Sequence, residues 1–254
     1  MEPQVKKLHA VVAGGVNMDI CGKPALALRM RDSNPGFVSL KPGGVGRNIA
    51  HDLCLLGLDV SLVSAVGDDS NGEFLLGRCR GLGMDVSRVR VVPGARSSSY
   101  LYITDERGDM QLAVNDMAVC NEISPEYLER VLPGIQAGAL VLDTNLPVES
   151  LEFICRSSCI PLYADPVSSV KAMKLHGVMK HLRAIKPNAL EAAALTGQTD
   201  PELAARALID EGVQRVFISL GTNGMIAAEG SRILRMPSPE ANVVNATGAG
   251  DAAM

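Results

Sequence analysis

The sequence predicts an α/β fold: a central, mostly parallel sheet between helices, with a small β-sheet set apart from it. Short apolar runs such as Val11-Val12-Ala13 and Ala139 to Asp143 alternate with helical segments along most of the chain, as strands buried between helices do. Residues 20–40 and 96–117 break that rhythm and read as polar-alternating strands. Glycine turns running into helices lie near both ends, at Lys41 to Ala50 and Asn245 to Asp251.

The first apolar run leads into Gly14-Gly15-Val16-Asn17-Met18-Asp19, read as a strand ending in an amide and a carboxylate. Residues at i and i+2 of an extended segment point to the same side, so Asn17 and Asp19 can grip adjacent hydroxyls together. Gly43-Gly44 then opens a helix with Val45, Ile49, Leu53 and Leu56 at helical spacing. Asn48 falls in its first turns, where an amide reaches a ligand over the helix N-terminus. Gly72 to Gly83 reads as a helix, and Ser124-Pro125-Glu126 as a helix start with Ser as N-cap. Ala139 to Asp143 is a buried strand, followed by a helix from about Pro147 to Arg156. Leu162 to Asp165 is a strand, Val170 to Leu182 a helix, and Ala184-Ile185 a short strand. Asp200-Pro201 opens another helix, Arg215 to Leu220 is a strand, and Met225 to Arg235 a hairpin.

Composition fits a metabolic enzyme. The 254 residues, 47% apolar, suffice for a substantial core, and a net charge of −4 with no basic run argues against nucleic acid or anionic membrane as partner. No apolar stretch reaches membrane-spanning length, and the run after Lys6-Lys7 lacks a signal-peptide profile. Six cysteines without a Cys-x-x-Cys pair read as reduced thiols, which places the chain in the cytoplasm. The four histidines have no metal-ligand spacing.

The chemistry is densest at Asn245-Ala246-Thr247-Gly248-Ala249-Gly250-Asp251. A Gly-x-Gly turn entering a helix presents backbone N–H groups to an anion, and the adjoining carboxylate can take a proton from a hydroxyl. That is a layout for phosphoryl transfer, although the turn alone also reads as a strand-to-helix turn capped by Asp251. Asn188 and Glu191, three apart at a helix start, share one face and equally read as a cap with a dipole-favoured acid. Asn145, after a strand, reads as an N-cap. Asn34 and Asn115 offer amides to a ligand or serve in turns. Lys171 reaches toward substrate or phosphate, or is a solvated lysine.

The two glycine signatures and the Asn17/Asp19 pair resemble the ribokinase-like (PfkB) family of sugar and nucleoside kinases. Within it the whole chain is most similar to the pseudouridine kinases, through Asp32-Ser33-Asn34-Pro35-Gly36, Ser64 to Asp68, Ser98 to Leu101, Asn115-Asp116-Met117, Asp165 to Ser168 and Lys186-Pro187-Asn188. The resemblance implies one three-layer kinase domain over 1–254, with residues 20–40 and 96–117 as a β-sheet lid. It implies ATP and Mg²⁺. Asn17, Asp19, Gly43, Gly44 and Asn48, with Asn34, Asn115, Asn145 and Lys171, would hold a nucleoside. Asp251 would be the base, and Gly248, Ala249 and Gly250 the anion turn. Asn188, Ser219, Gly221, Thr222 and Gly224 would meet the nucleotide, and Glu191 the water shell of Mg²⁺. A lid with one apolar face invites a homodimer through the lids; ordinary edge strands of one sheet are the other reading. Gly43-Gly44-Val45-Gly46 is not the Gly-x-Gly-x-x-Gly of a dinucleotide-binding dehydrogenase. Asn245-Ala246 replaces the family's Asp-Thr, which leaves a monovalent-cation site open. Family members continue past the catalytic acid with helices that wall the adenine. The expectation for these 254 residues is therefore measurable nucleoside binding with weak ATP binding and poor turnover. A kinase for another nucleoside or for ribose, and a binding protein without catalysis, are the alternatives.

Overall fold

A computed structural model of the chain describes residues 8–240 and 248–254. Its first half contains β1 (His9–Ala13), β2 (Asn17–Pro24), β3 (Gly36–Gly43), α1 (Val45–Leu55), β4 (Asp59–Gly67), α2 (Ser70–Gly81), β5 (Asp85–Val92), β6 (Ser99–Thr104), β7 (Met110–Asp116) and α3 (Pro125–Val131). There follow β8 (Ala139–Asp143), α4 (Val148–Ser157), β9 (Leu162–Asp165), α5 (Ser169–Ala172), β10 (Leu182–Ile185), α6 (Ala189–Thr196) and α7 (Pro201–Asp210). The last elements are β11 (Arg215–Ser219), β12 (Met225–Glu229), β13 (Arg232–Met236) and α8 (Ala249–Ala252).

The large sheet has the order β13-β12-β11-β10-β9-β8-β1-β4-β5. It is parallel from β10–β11 through to β4–β5, and the β11-β12-β13 meander is antiparallel. Its central strands are apolar on both faces because helices cover both. Val11, Val63, Leu140 and Leu142 pack with Leu128, Leu151 and Ile154 in one layer, while Val12, Leu62 and Val66 pack with Ile49, Ala50 and Leu75 in the other. From β1 the chain runs outward through β4 and β5, then restarts on the opposite side at β8. The reversal between β1 and β8 opens a crevice at their carboxyl ends, where open α/β sheets bind ligands.

The small sheet has the order β3-β2-β6-β7. Only β2–β6 is parallel. Its register aligns Lys41, Asp19, Tyr100 and Asn115 in one row across the sheet, with Ser39, Cys21, Tyr102 and Ala113 in the next on the same face. The opposite face carries Leu40, Ile20, Leu101 and Val114, then Val38, Gly22, Ile103 and Leu112. Alternation has thus sorted one polar face from one apolar face.

Three expectations need correction. Asn17 and Asp19 do not end β1; they begin β2, because the chain turns at Gly14-Gly15 and crosses into the small sheet. Residues 170–182 are not one helix. They form α5 and two 3₁₀ turns, Met173–Leu175 and Met179–His181, separated by Gly177 at φ 85, a left-handed residue that ends helical winding. Leu56 lies past the end of α1 and is exposed. The expected caps do form: Ser124 accepts from Tyr127 N–H and Asp200 from Glu202 and Leu203 N–H. Among the described residues no helix is long and apolar enough to cross a membrane.

Candidate active site

Asn17 and Asp19 lie side by side at the start of β2, the Asn17 amide donating to Asp19 Oδ1 at 2.6 Å. Gly43 is their floor: a Cβ there would overlap the Asp19 carboxylate. Gly44, at φ 100, caps α1 against the Gly15 carbonyl. Asp143, at the end of β8, binds these turns together. It is fully buried and accepts from Gly15 N–H at 2.8 Å, Gly46 N–H at 2.7 Å and Asn145 N–H at 2.8 Å. Burial pushes its carboxyl up while the amide donors pull against that shift. The Asn145 side chain packs over Gly15 and accepts from Lys171 Nζ at 2.5 Å. Lys174 donates to the Thr144 and Leu146 carbonyls and holds the same loop from behind.

Two distant glycine turns meet at the centre. Asn48 Nδ2 donates to Asp251 Oδ2 at 2.7 Å across 203 residues of sequence. Burial pushes the Asp251 carboxyl up to about 6, opposed by the Asn48 hydrogen bond. Arg47 Nη1 donates to Asn48 Oδ1 at 2.7 Å, which fixes the amide so that its NH₂ faces Asp251. Arg47 is buried, its Nε has no hydrogen-bond partner, and its charge acts on Asp19 as well. On the other side Lys186 Nζ pairs with Asp165 Oδ2 at 3.1 Å, and a Cβ on Gly250 would sit 3.8 Å from that ammonium. Asp165 and Lys186 both act on Asp251 and on Glu191. Three acids thus surround one lysine.

Where the nucleotide is expected, Asn188 and Glu191 form a reciprocal capping box on α6, each side chain accepting from the other's backbone N–H at 2.9 Å. The capping geometry forms, but Glu191 is buried and burial pushes its carboxyl up. An isolated bridge pairs Asn188 with Ser219. Beside them lies an open cavity of about 400 Å³ lined by Asn188, Ser219, Leu220, Gly221, Asn223 and Arg235. Thr222 is exposed, and Gly224 turns at φ 89 against the Met236 carbonyl.

Most of the expected acceptor-side residues therefore come together; Asn34 stands apart. Asn34 is a turn residue, its side chain bonded to Arg29 N–H, Arg29 C=O and Asp32 C=O at the far end of the small sheet. Asn115 is exposed but shares the row of Asp19. Gly248 at φ 81 precedes α8, whose first residues are Ala249, Gly250 and Asp251. Asn245 and Ala246 lie outside the described residues. Arg47, Lys186, Asp165, Asp143 and Arg235 were given no role from sequence, although Arg47, Asp165 and Lys186 lie within its motifs. Strand-end position was a signal for Asp143 and Asp165, since acids rarely close buried strands without cause.

Comparison with known proteins fits this geometry. The pattern of the pfkB family carbohydrate kinases matches residues 7–254. The chain belongs to the pfkB family. The pseudouridine kinase of Escherichia coli (strain K12) is 38% identical over 98% of this chain and 82% of its own length. An uncharacterised sugar kinase of the same organism is 36% identical over 97% of this chain and 70% of its own. A candidate ribokinase II of Escherichia coli, solved in complex with ATP and Mg²⁺, superposes with a TM-score of 0.81 at 19% identity, covering 97% of this chain and 83% of that one. The chain is a pfkB-family phosphotransferase acting on an alcohol acceptor of the sugar or nucleoside class.

Proposed function

We propose that the chain transfers the γ-phosphoryl group of ATP to the 5′-hydroxyl of a nucleoside, with pseudouridine as the preferred acceptor. One observation carries the chemistry: the Asn48–Asp251 hydrogen bond, which seats a carboxyl of raised pKa between the two glycine turns. Likeness to an annotated pseudouridine kinase over nearly the whole chain supports the acceptor; a comparably similar sugar kinase of unassigned substrate makes ribose or another nucleoside the competing reading.

In this reading Asn17 and Asp19 hold the sugar hydroxyls on the Gly43-Gly44 floor, with Asn145 and Lys171 opposite. Asp251 accepts the 5′-hydroxyl proton. The N–H groups of Ala249, Gly250 and Asp251 meet the transferring phosphoryl, with the buried Lys186 ammonium beside Gly250. Positioning and electrostatics supply most of the acceleration in such transfers. Asn188, Ser219 and the Gly221 to Gly224 turn line the nucleotide side. Mg²⁺ fits the donor set, since it prefers waters, phosphates and one or two carboxylates and the cap occupies only Oε2 of Glu191. Glu191, through water, would hold it, and there it would neutralise phosphate charge. The small sheet acts as a lid that excludes water, and its apolar face supports a homodimer. The cysteines are thiols, in keeping with a reducing compartment.

The test is steady-state kinetics on pseudouridine, uridine and ribose with ATP and Mg²⁺. Pseudouridine outcompetes both, because a site built to pair the extra ring N–H of a C-nucleoside leaves its acceptor unpaired with the others. Equal or better use of ribose sinks the pseudouridine reading.

A further inference from the structure

The chain has four tyrosines and no tryptophan, so the placement of its aromatic surface is informative. Two of the four, Tyr100 and Tyr102, stand on β6 on the polar face of the small sheet. Tyr100 is paired directly with Asp19 on one side and Asn115 on the other. Their ring centroids are 5.6 Å apart with planes inclined by 34°. Both are half-buried. Neither belongs to the sheet's aliphatic surface, which is the opposite face. The Tyr100 hydroxyl donates to Met110 Sδ at 3.3 Å. The Tyr102 hydroxyl is pushed up to about 12, first by burial and then by the neighbouring Cys21 and Asp19, so it stays neutral.

We infer that Tyr100 and Tyr102 form the wall against which the heterocyclic base of a nucleoside lies, making the acceptor a nucleoside and not a free pentose. The inference rests on the reading that Asn17 and Asp19 hold the sugar. Neighbouring strands are about 4.8 Å apart, so a sugar held at Asp19 is flanked by Lys41 on β3 and Tyr100 on β6, and of the two only the tyrosine offers a ring to stack on. Aromatic faces take any base by stacking, while the Asn115 carboxamide in the same row is suited to a base's carbonyl and N–H edges.

The experiment compares the unmodified chain with Tyr100→Ala, Tyr102→Ala and the Tyr100→Phe/Tyr102→Phe double variant, on pseudouridine and on ribose. Each alanine variant raises KM for the nucleoside roughly five- to a hundredfold, the usual effect of deleting a stacking ring, and leaves KM for ribose unchanged. The phenylalanine variant keeps KM for the nucleoside near its original value. Tyrosine fluorescence gives a second readout, free of tryptophan. After correction for base absorbance, pseudouridine quenches it, ribose and ATP do not, and the phenylalanine variant loses most of the quench even if the alanine variants fail to fold. Unchanged nucleoside KM, a parallel rise for ribose, or a quench that survives in the phenylalanine variant overturns the inference. Failure of the underlying reading looks different: Asp19→Asn would then leave both acceptors bound as before.

Discussion

Asp251 is the residue on which the proposed chemistry turns, and its environment makes two outcomes measurable. Asp251→Asn keeps nucleoside binding and loses roughly 10²–10⁴ in kcat, the range of general-base catalysis; near-normal turnover removes the assignment. With its carboxyl at about 6 and the ionised form active, kcat climbs as pH rises through that value. Arg47 governs the same profile from one residue away. Its N–H fixes the Asn48 amide that donates to Asp251, so Arg47→Met frees that amide and withdraws a donor that favours the carboxylate. The acid limb of the kcat profile then moves up by about one pH unit. A limb that coincides with that of the unmodified chain shows that Arg47 serves folding alone.

At the scale of elements, the small sheet departs furthest from ordinary surface design. Leu40 is 56% exposed and Leu112 and Val114 59% exposed on one face, and a contiguous patch of this kind marks an interaction surface. A second copy is the proposed cover. Val114→Lys places a charge in it, so sedimentation or light scattering of the variant reports monomers where the unmodified chain reports dimers. A monomeric unmodified chain at micromolar concentration removes the dimer. The α6 capping box is the opposite case: both its side chains are spent on the helix N-terminus, which limits Asn188 and Glu191 to ligand contacts made through their remaining atoms.

Across the whole molecule, acids converge on one crevice: Asp19, Asp143, Asp165, Glu191 and Asp251, with Arg47 and Lys186 as the buried cations near them. Such a site costs stability when empty. Asp251 holds its proton to about 6 in the folded chain against 3.8 ordinarily. Stability from this group is therefore full below the lower value and lost as pH rises through the upper one. Thermal denaturation of the unliganded chain shows a fall in Tm across that window that Asp251→Asn reduces; identical pH dependence of the two proteins contradicts it.

The fold class was legible because its signals are local. Strands β1, β8 and β9 are apolar runs, α1 opens on glycines, and Ser124 and Asp200 cap their helices with their own side chains. That Asn17 and Asp19 lie side by side was legible through strand alternation, although the strand that carries them was not. Where local signals competed, the reading failed or stayed open: residues 170–182 carry a helical pattern that Gly177 interrupts, and of the two roles open to Asn34 the structure shows the turn. Tertiary structure alone could set Asn48 against Asp251, because nothing at either position encodes a partner 203 residues away. It alone joined Asp143 to both glycine turns, paired Lys186 with Asp165, and put Tyr100 beside Asp19. The physical reason is that hydrogen bonds and ion pairs between elements depend on sheet order and register, which arise from burying apolar faces over the whole chain, whereas caps, turns and alternation are settled within a few residues.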